Sequence, residues 1–79
     1  MGTVIIWGNV RFVIYTRDHL PPHVHAIAPG AEAVLEIETL EVVRSSGFNP
    51  RALARIRGYL WTRQRQLMEA WNEIHEKEN

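Results

Sequence analysis

The segment Asp18-His19-Leu20-Pro21-Pro22-His23-Val24-His25 holds three of the chain's four histidines and an acid around a Pro-Pro step. Imidazole is the commonest metal ligand, and the one side chain whose ordinary charge change falls near neutrality. If residues 23–28 form a strand, alternation puts His23 and His25 on the same face. His19 then returns across the Pro-Pro turn as a third ligand to a divalent transition metal such as Zn, Ni, Cu or Fe. Asp18 is a fourth ligand or the acceptor that fixes a histidine tautomer. Two other readings stay open. In one, Asp18 caps a rigid turn, Pro21 and Pro22 fix the backbone, and the histidine rings bond to backbone carbonyls. In the other, the histidines act as general acids and bases or contact phosphate. The segment pairs no Ser, Cys or Thr nucleophile, and it lacks the His-Glu-x-x-His or Cys-based spacing of familiar zinc sites.

A second group of candidates is the arginines. Residues 1–49 carry three Arg and five acids, residues 50–65 five Arg and no acid, and residues 66–79 four Glu and one Lys. The zero net charge therefore conceals a basic belt between two acidic regions. Arg51, Arg55 and Arg65 are its candidate anion-binding residues, for phosphate, nucleic acid or an acidic partner. Five arginines without a lysine favour bidentate recognition. The alternative is a solvated helix face with pairs such as Arg65–Glu69.

The elements that must position these residues can be read from periodicity. Residues 3–7 and 10–17 are rich in β-branched and aromatic residues, which suit strands. Gly8-Asn9 between them is a hairpin signal. Residues 23–28 make a third strand, and Pro29-Gly30 a turn. Residues 31–38 alternate, with Ala31, Ala33, Leu35 and Ile37 on one face and Glu32, Val34, Glu36 and Glu38 on the other. That is the pattern of a sheet with one wet face. Glu36 is expected opposite the His segment if the two strands pair. Residues 41–44 form a short last strand and residues 45–49 a loop.

Asn49-Pro50 then opens a helix, with Asn as the cap and Pro at the first position. At 100° per residue, Leu53, Ile56, Leu60, Leu67, Trp71 and Ile74 fall in a stripe about 60° wide. The expectation is one long amphipathic helix over about residues 50–76. Such a helix is roughly 39 Å long and overhangs strands of about 17–27 Å. It must therefore bend, with Gly58 the candidate, or bury Leu67, Trp71 and Ile74 against a protein partner or a second copy of the chain. Trp61 lies about 100° from the stripe, where an interface is one reading.

Seventy-nine residues make a single domain, here spanning 1–79. With no cysteine, disulfides and Cys-based zinc sites are excluded. The first eight residues do not read as a signal peptide, and no stretch is apolar enough to span a bilayer. The expected class is α+β: a small antiparallel sheet of three to five strands within residues 3–44, in β-β-β-β-α order.

Residues Arg11 to Tyr15, the Asp18-His19-x-Pro21-Pro22-His23-Val24-His25 run, Glu32 to Val42, Pro50 to Leu53 and Leu67 to His75 together resemble a family of small prokaryotic proteins, domain-of-unknown-function family 4160. The resemblance covers about residues 10–76 and is most specific in the histidine run. It departs at Ala26-Ile27-Ala28, where acidic or aromatic residues are usual. The resemblance implies a cytoplasmic bacterial protein encoded beside another small protein, in a pairing suggestive of toxin–antitoxin modules. It brings no activity with it. The leading expectation is a binding or regulatory protein; the alternative is a histidine- or metal-dependent small enzyme acting on nucleic acid or another phosphorylated substrate.

Overall fold

The computed structural model describes residues 2–76. Five strands come first: β1 (Gly2–Trp7), β2 (Val10–Ile14), β3 (His23–Ala28), β4 (Ala31–Glu36) and β5 (Val42–Ser46). Two helices follow, α1 (Pro50–Trp61) and α2 (Gln64–Glu76). The strands form one antiparallel meander in the order β1-β2-β3-β4-β5. The α+β class therefore holds, with five strands and two helices.

Tight turns set the register. Trp7 pairs with Val10 across Gly8-Asn9. Gly8 has φ +61°, the first-position glycine that a two-residue hairpin favours. Ala28 pairs with Ala31 across Pro29-Gly30. The last strand runs two residues past the expected end, so Ser45 and Ser46 pair with Ala33 and Glu32 and are not loop. Alternation then sorts the sheet into two faces. Val10, Phe12, Ile14, Val24, Ala26, Ala33 and Leu35 face the helices and form the core with Ile56, Leu60, Leu67 and Trp71. His23, His25, Glu32, Val34 and Glu36 project from the other side.

The single long helix is corrected by the structure. The break comes at Thr62-Arg63, not at Gly58. The backbone N–H groups of Thr62 and Arg63 donate to the carbonyls of Tyr59 and Leu60, three residues back. The Thr62 hydroxyl donates to the same Tyr59 carbonyl at 2.7 Å, a side-chain bond that competes with helix continuation. Just beyond, the Gln64 amide donates to the carbonyls of Ile37 and Glu38 at 2.8 and 3.0 Å. The two helices, of 12 and 13 residues, are about 18 and 20 Å long, matched to strands of five or six residues.

The residues expected at an interface take part in the chain's own core. Leu67 is fully buried and Trp71 only 4% exposed within this one chain, and Ile74 packs partly against the same core. Beyond the break the apolar stripe packs on the chain's own sheet.

Candidate metal centre at the end of strands β2 and β3

The loop between β2 and β3 is folded by its own acid. The Asp18 backbone N–H donates to the Tyr15 carbonyl at 3.2 Å, and the Tyr15 N–H donates to Asp18 Oδ2 at 3.0 Å. This turn aims the carboxylate inward and leaves the next residue, His19, exposed. The Leu20–Pro21 peptide that follows is cis. Pro22 leads into β3, its carbonyl accepting from the Ile37 N–H at 3.0 Å. His23 and His25 then share a face, as their spacing requires.

Asp18, His23 and His25 come together with one donor atom each, all within 4.8 Å of one another. His23 Nε2 is 3.4 Å from Asp18 Oδ1, and His25 Nε2 is 3.3 Å from Oδ2 and 3.4 Å from Oδ1. Ligands held at about 2.0–2.1 Å in a tetrahedron sit roughly 3.3–3.4 Å apart along its edges. The histidine-to-carboxylate spacings are of that size.

Hydrogen bonding decides what these atoms need. His23 Nδ1 lies 2.9 Å from the Pro21 carbonyl oxygen. A carbonyl only accepts, so Nδ1 carries the proton and donates. In the neutral ring Nε2 is then a bare lone pair facing a carboxylate. Two acceptors at that distance repel unless a cation lies between them, either a proton or a metal ion. His25 poses the same problem twice. Its Nδ1 is buried with no hydrogen-bond partner, and Glu32 Oε2 stands 3.6 Å away. Its Nε2 faces Asp18. Whichever nitrogen holds the single proton of a neutral ring, the other faces a carboxylate as a bare acceptor. A cation bound by both Nε2 atoms and Asp18 resolves this. Nδ1–H of His23 then donates to Pro21, the outer support typical of metal-bound histidine, whereas Nδ1 of His25 faces Glu32 Oε2 at 3.6 Å, beyond hydrogen-bond range.

The surroundings restrict the rings. Tyr15 meets His25 edge-on with centroids 4.7 Å apart, and His23 meets His25 at 5.3 Å. Trp71 of α2 lies 5.4 Å from His23 and stacks on His75 at 3.8 Å. His75 was not expected at this site. Its Nδ1 is 2.9 Å from the Trp71 carbonyl and its Nε2 3.2 Å from the Asp18 carbonyl, so it ties α2 to the loop. Among the described residues the donor set is thus Asp18, His23 and His25, and His19 is not part of it. His19 leaves because Asp18 takes the inward position of the turn. Glu36 does stand opposite His23 in the register, while Glu32 comes closest to His25.

The arginines separate. Arg51 and Arg55 are exposed on α1, whereas Arg65 is exposed on α2, beyond the break at Thr62-Arg63. A cleft of about 450 Å³ lies at the other end of the sheet from the histidines, between the β1–β2 and β3–β4 turns and the start of α1, with Trp7, Phe48 and Arg55 in its lining. No helix among the described residues is long and apolar enough to cross a membrane.

Neither a curated protein nor a solved structure matches this chain. Residues 9–72 match the family described as Domain of unknown function (DUF4160), a span that holds every donor of the cluster and most of both helices. The chain belongs to that family.

Proposed function

We propose that this protein is a small metal-binding regulatory module in which Asp18, His23 and His25 hold one divalent transition-metal ion. The observation that carries the reading is the convergence of the two histidine Nε2 atoms on the Asp18 carboxylate, with the lone pair of His23 Nε2 left bare because its Nδ1–H donates to Pro21. A bound cation at that point separates the bare lone pair from the carboxylate oxygens it faces. The ion fastens the 15–22 loop to the sheet and, through His75 and Trp71, to α2. Work by binding fits better than turnover, because a cleft of about 450 Å³ opens at the opposite end of the sheet from the donors. Leu20 on the loop and Val43 on the edge strand β5 are exposed apolar residues that offer contact to a protein partner. The regulatory half of a cytoplasmic bacterial toxin–antitoxin-like pair is the setting this reading suits.

The second reading is a metal-dependent enzyme acting on a phosphorylated substrate. Three protein donors favour it, since a catalytic zinc keeps a fourth position for water or substrate.

Dialysis of the native-purified chain against Zn²⁺ or Co²⁺ tests both. The expected result is one equivalent per chain, lost in Asp18→Ala, His23→Ala and His25→Ala and retained in His19→Ala. Failure of the wild-type chain to bind either ion, or loss of binding in His19→Ala alone, overturns the site. Metal-dependent phosphodiester cleavage by the loaded protein, abolished in the same three variants, moves the reading from regulator to enzyme.

A further inference from the structure

The outer face of α1 combines features that the fold uses only at Arg57. At 100° per residue, Arg57, Pro50, Trp61, Ala54, Gly58, Arg51 and Arg55 fill an arc of about 160°. All seven are exposed, and the remaining five residues of α1 are buried or half-buried. Trp61 is 70% exposed, an unusual position for the side chain with most to gain from burial. Gly58 sits at the centre of the arc. A Cβ added there would meet nothing within 4 Å, so no packing contact calls for glycine, although glycine is among the weakest helix formers. Ala54 continues the flat strip.

Charge gives the face its sign. Residues 50–65 contain five arginines and no acid, and the first turn of α1 has no acidic residue to offset its positive end. Arg57 Nε donates to the Leu40 carbonyl at 2.9 Å, which holds the guanidinium in place and leaves its other N–H groups for a ligand. The result is a shallow basic strip about 15 Å long, flat in the middle and closed at one end by a free indole face. An acidic peptide would satisfy the arginines and leave the indole and the flat strip unused. A nucleic-acid strand uses all three: phosphates on the guanidinium forks, a base on the indole, and close backbone approach over Ala54 and Gly58.

We propose that the outer face of α1 binds single-stranded nucleic acid, with Arg51, Arg55 and Arg57 on phosphates and Trp61 as the stacking platform. The inference is independent of the metal site. Fluorescence anisotropy of labelled oligouridylate and oligothymidylate, with the full chain and a chelator present, tests it. Binding should weaken with salt at a log–log slope of about −2, as three arginines on a single strand require. Trp61→Ala should weaken binding by about tenfold or more, and Gly58→Glu should abolish it. Both sites are exposed, and circular dichroism checks that each variant is folded; if Gly58→Glu is not, Trp61→Ala decides alone. Binding by either oligonucleotide that shows these losses supports the proposal. It is overturned by no binding at low salt, by binding that survives both folded variants, or by a polyglutamate peptide that competes as well as the oligonucleotides do.

Discussion

Trp71→Ala probes the fold and the site together. The indole is 4% exposed, stacked on His75 at 3.8 Å and 5.4 Å from His23. Truncating a buried Trp to Ala costs about 3–5 kcal/mol. A chain of 79 residues has a total stability of about 4–12 kcal/mol, at 0.05–0.15 per residue. The variant should therefore lose about a quarter or more of its stability. At about 4–8 °C per kcal/mol for a domain of this size, the melting temperature should fall by at least about 12 °C. Urea denaturation followed by far-ultraviolet circular dichroism measures the first quantity and a thermal scan the second. The partners also matter, because His75 and His23 lose the surface they rest on. Metal affinity should fall in any variant still folded, although Trp71 donates no ligand. The decisive control is concentration. A Trp71 buried by its own chain gives a transition midpoint that does not depend on protein concentration. A loss below about 1 kcal/mol, or a wild-type midpoint that climbs over a hundredfold concentration range, would show that the indole is covered by another copy and refute the intramolecular packing.

Three substitutions test local elements. Asn49→Ala removes the cap whose Oδ1 accepts from the Ala52 N–H at 2.7 Å and should cost about 1 kcal/mol, read as a lower urea midpoint at unchanged slope. Gly47→Ala and Gly58→Ala should move stability in opposite directions, measured side by side by urea titration. Gly47 has φ +89°, and a Cβ there would overlap the Gly30 carbonyl oxygen, so the first variant should lose more than about 1 kcal/mol. Gly58 is open and helical, so the second should gain about 0.5–1 kcal/mol.

The strands were legible because each is short and bounded by turn residues that only one conformation suits. Gly8 and Gly30 adopt the positive φ their turns require, and once two turns are placed the pairing of β1 with β2 and of β3 with β4 follows. The helix break was not legible, for a reason of phase. Leu60 and Leu67 are seven residues apart, a spacing that keeps both on one stripe of a straight helix. The interruption between them leaves the hydrophobic pattern unchanged. It is written instead in the Thr62 hydroxyl and the Gln64 amide, whose bonds to Tyr59, Ile37 and Glu38 depend on where the sheet lies. Gly58, the conspicuous helix weakener, stays helical because nothing pulls on it.

The same distinction between local and distant determinants explains the site. Strand alternation alone puts His23 and His25 together, and the sequence was sufficient for that pair. Whether Asp18 or His19 completes the set is a turn-geometry question, since neighbours in a tight turn cannot both point inward. The Tyr15 N–H settles it. A carboxylate can accept that bond and an imidazole in the metal-ready state has no lone pair to spare, so Asp18 turns in and His19 turns out. His75 had one local trace, its i,i+4 spacing from Trp71, which predicts their stacking but not their destination. That destination depends on how α2 sits after the break at Thr62-Arg63, where its His75 meets the Asp18 carbonyl. Helix α2 and the histidine cluster are thus mechanically joined. Under the proposed metal reading, an ion that fixes Asp18 also fixes the loop whose carbonyl faces His75 of α2.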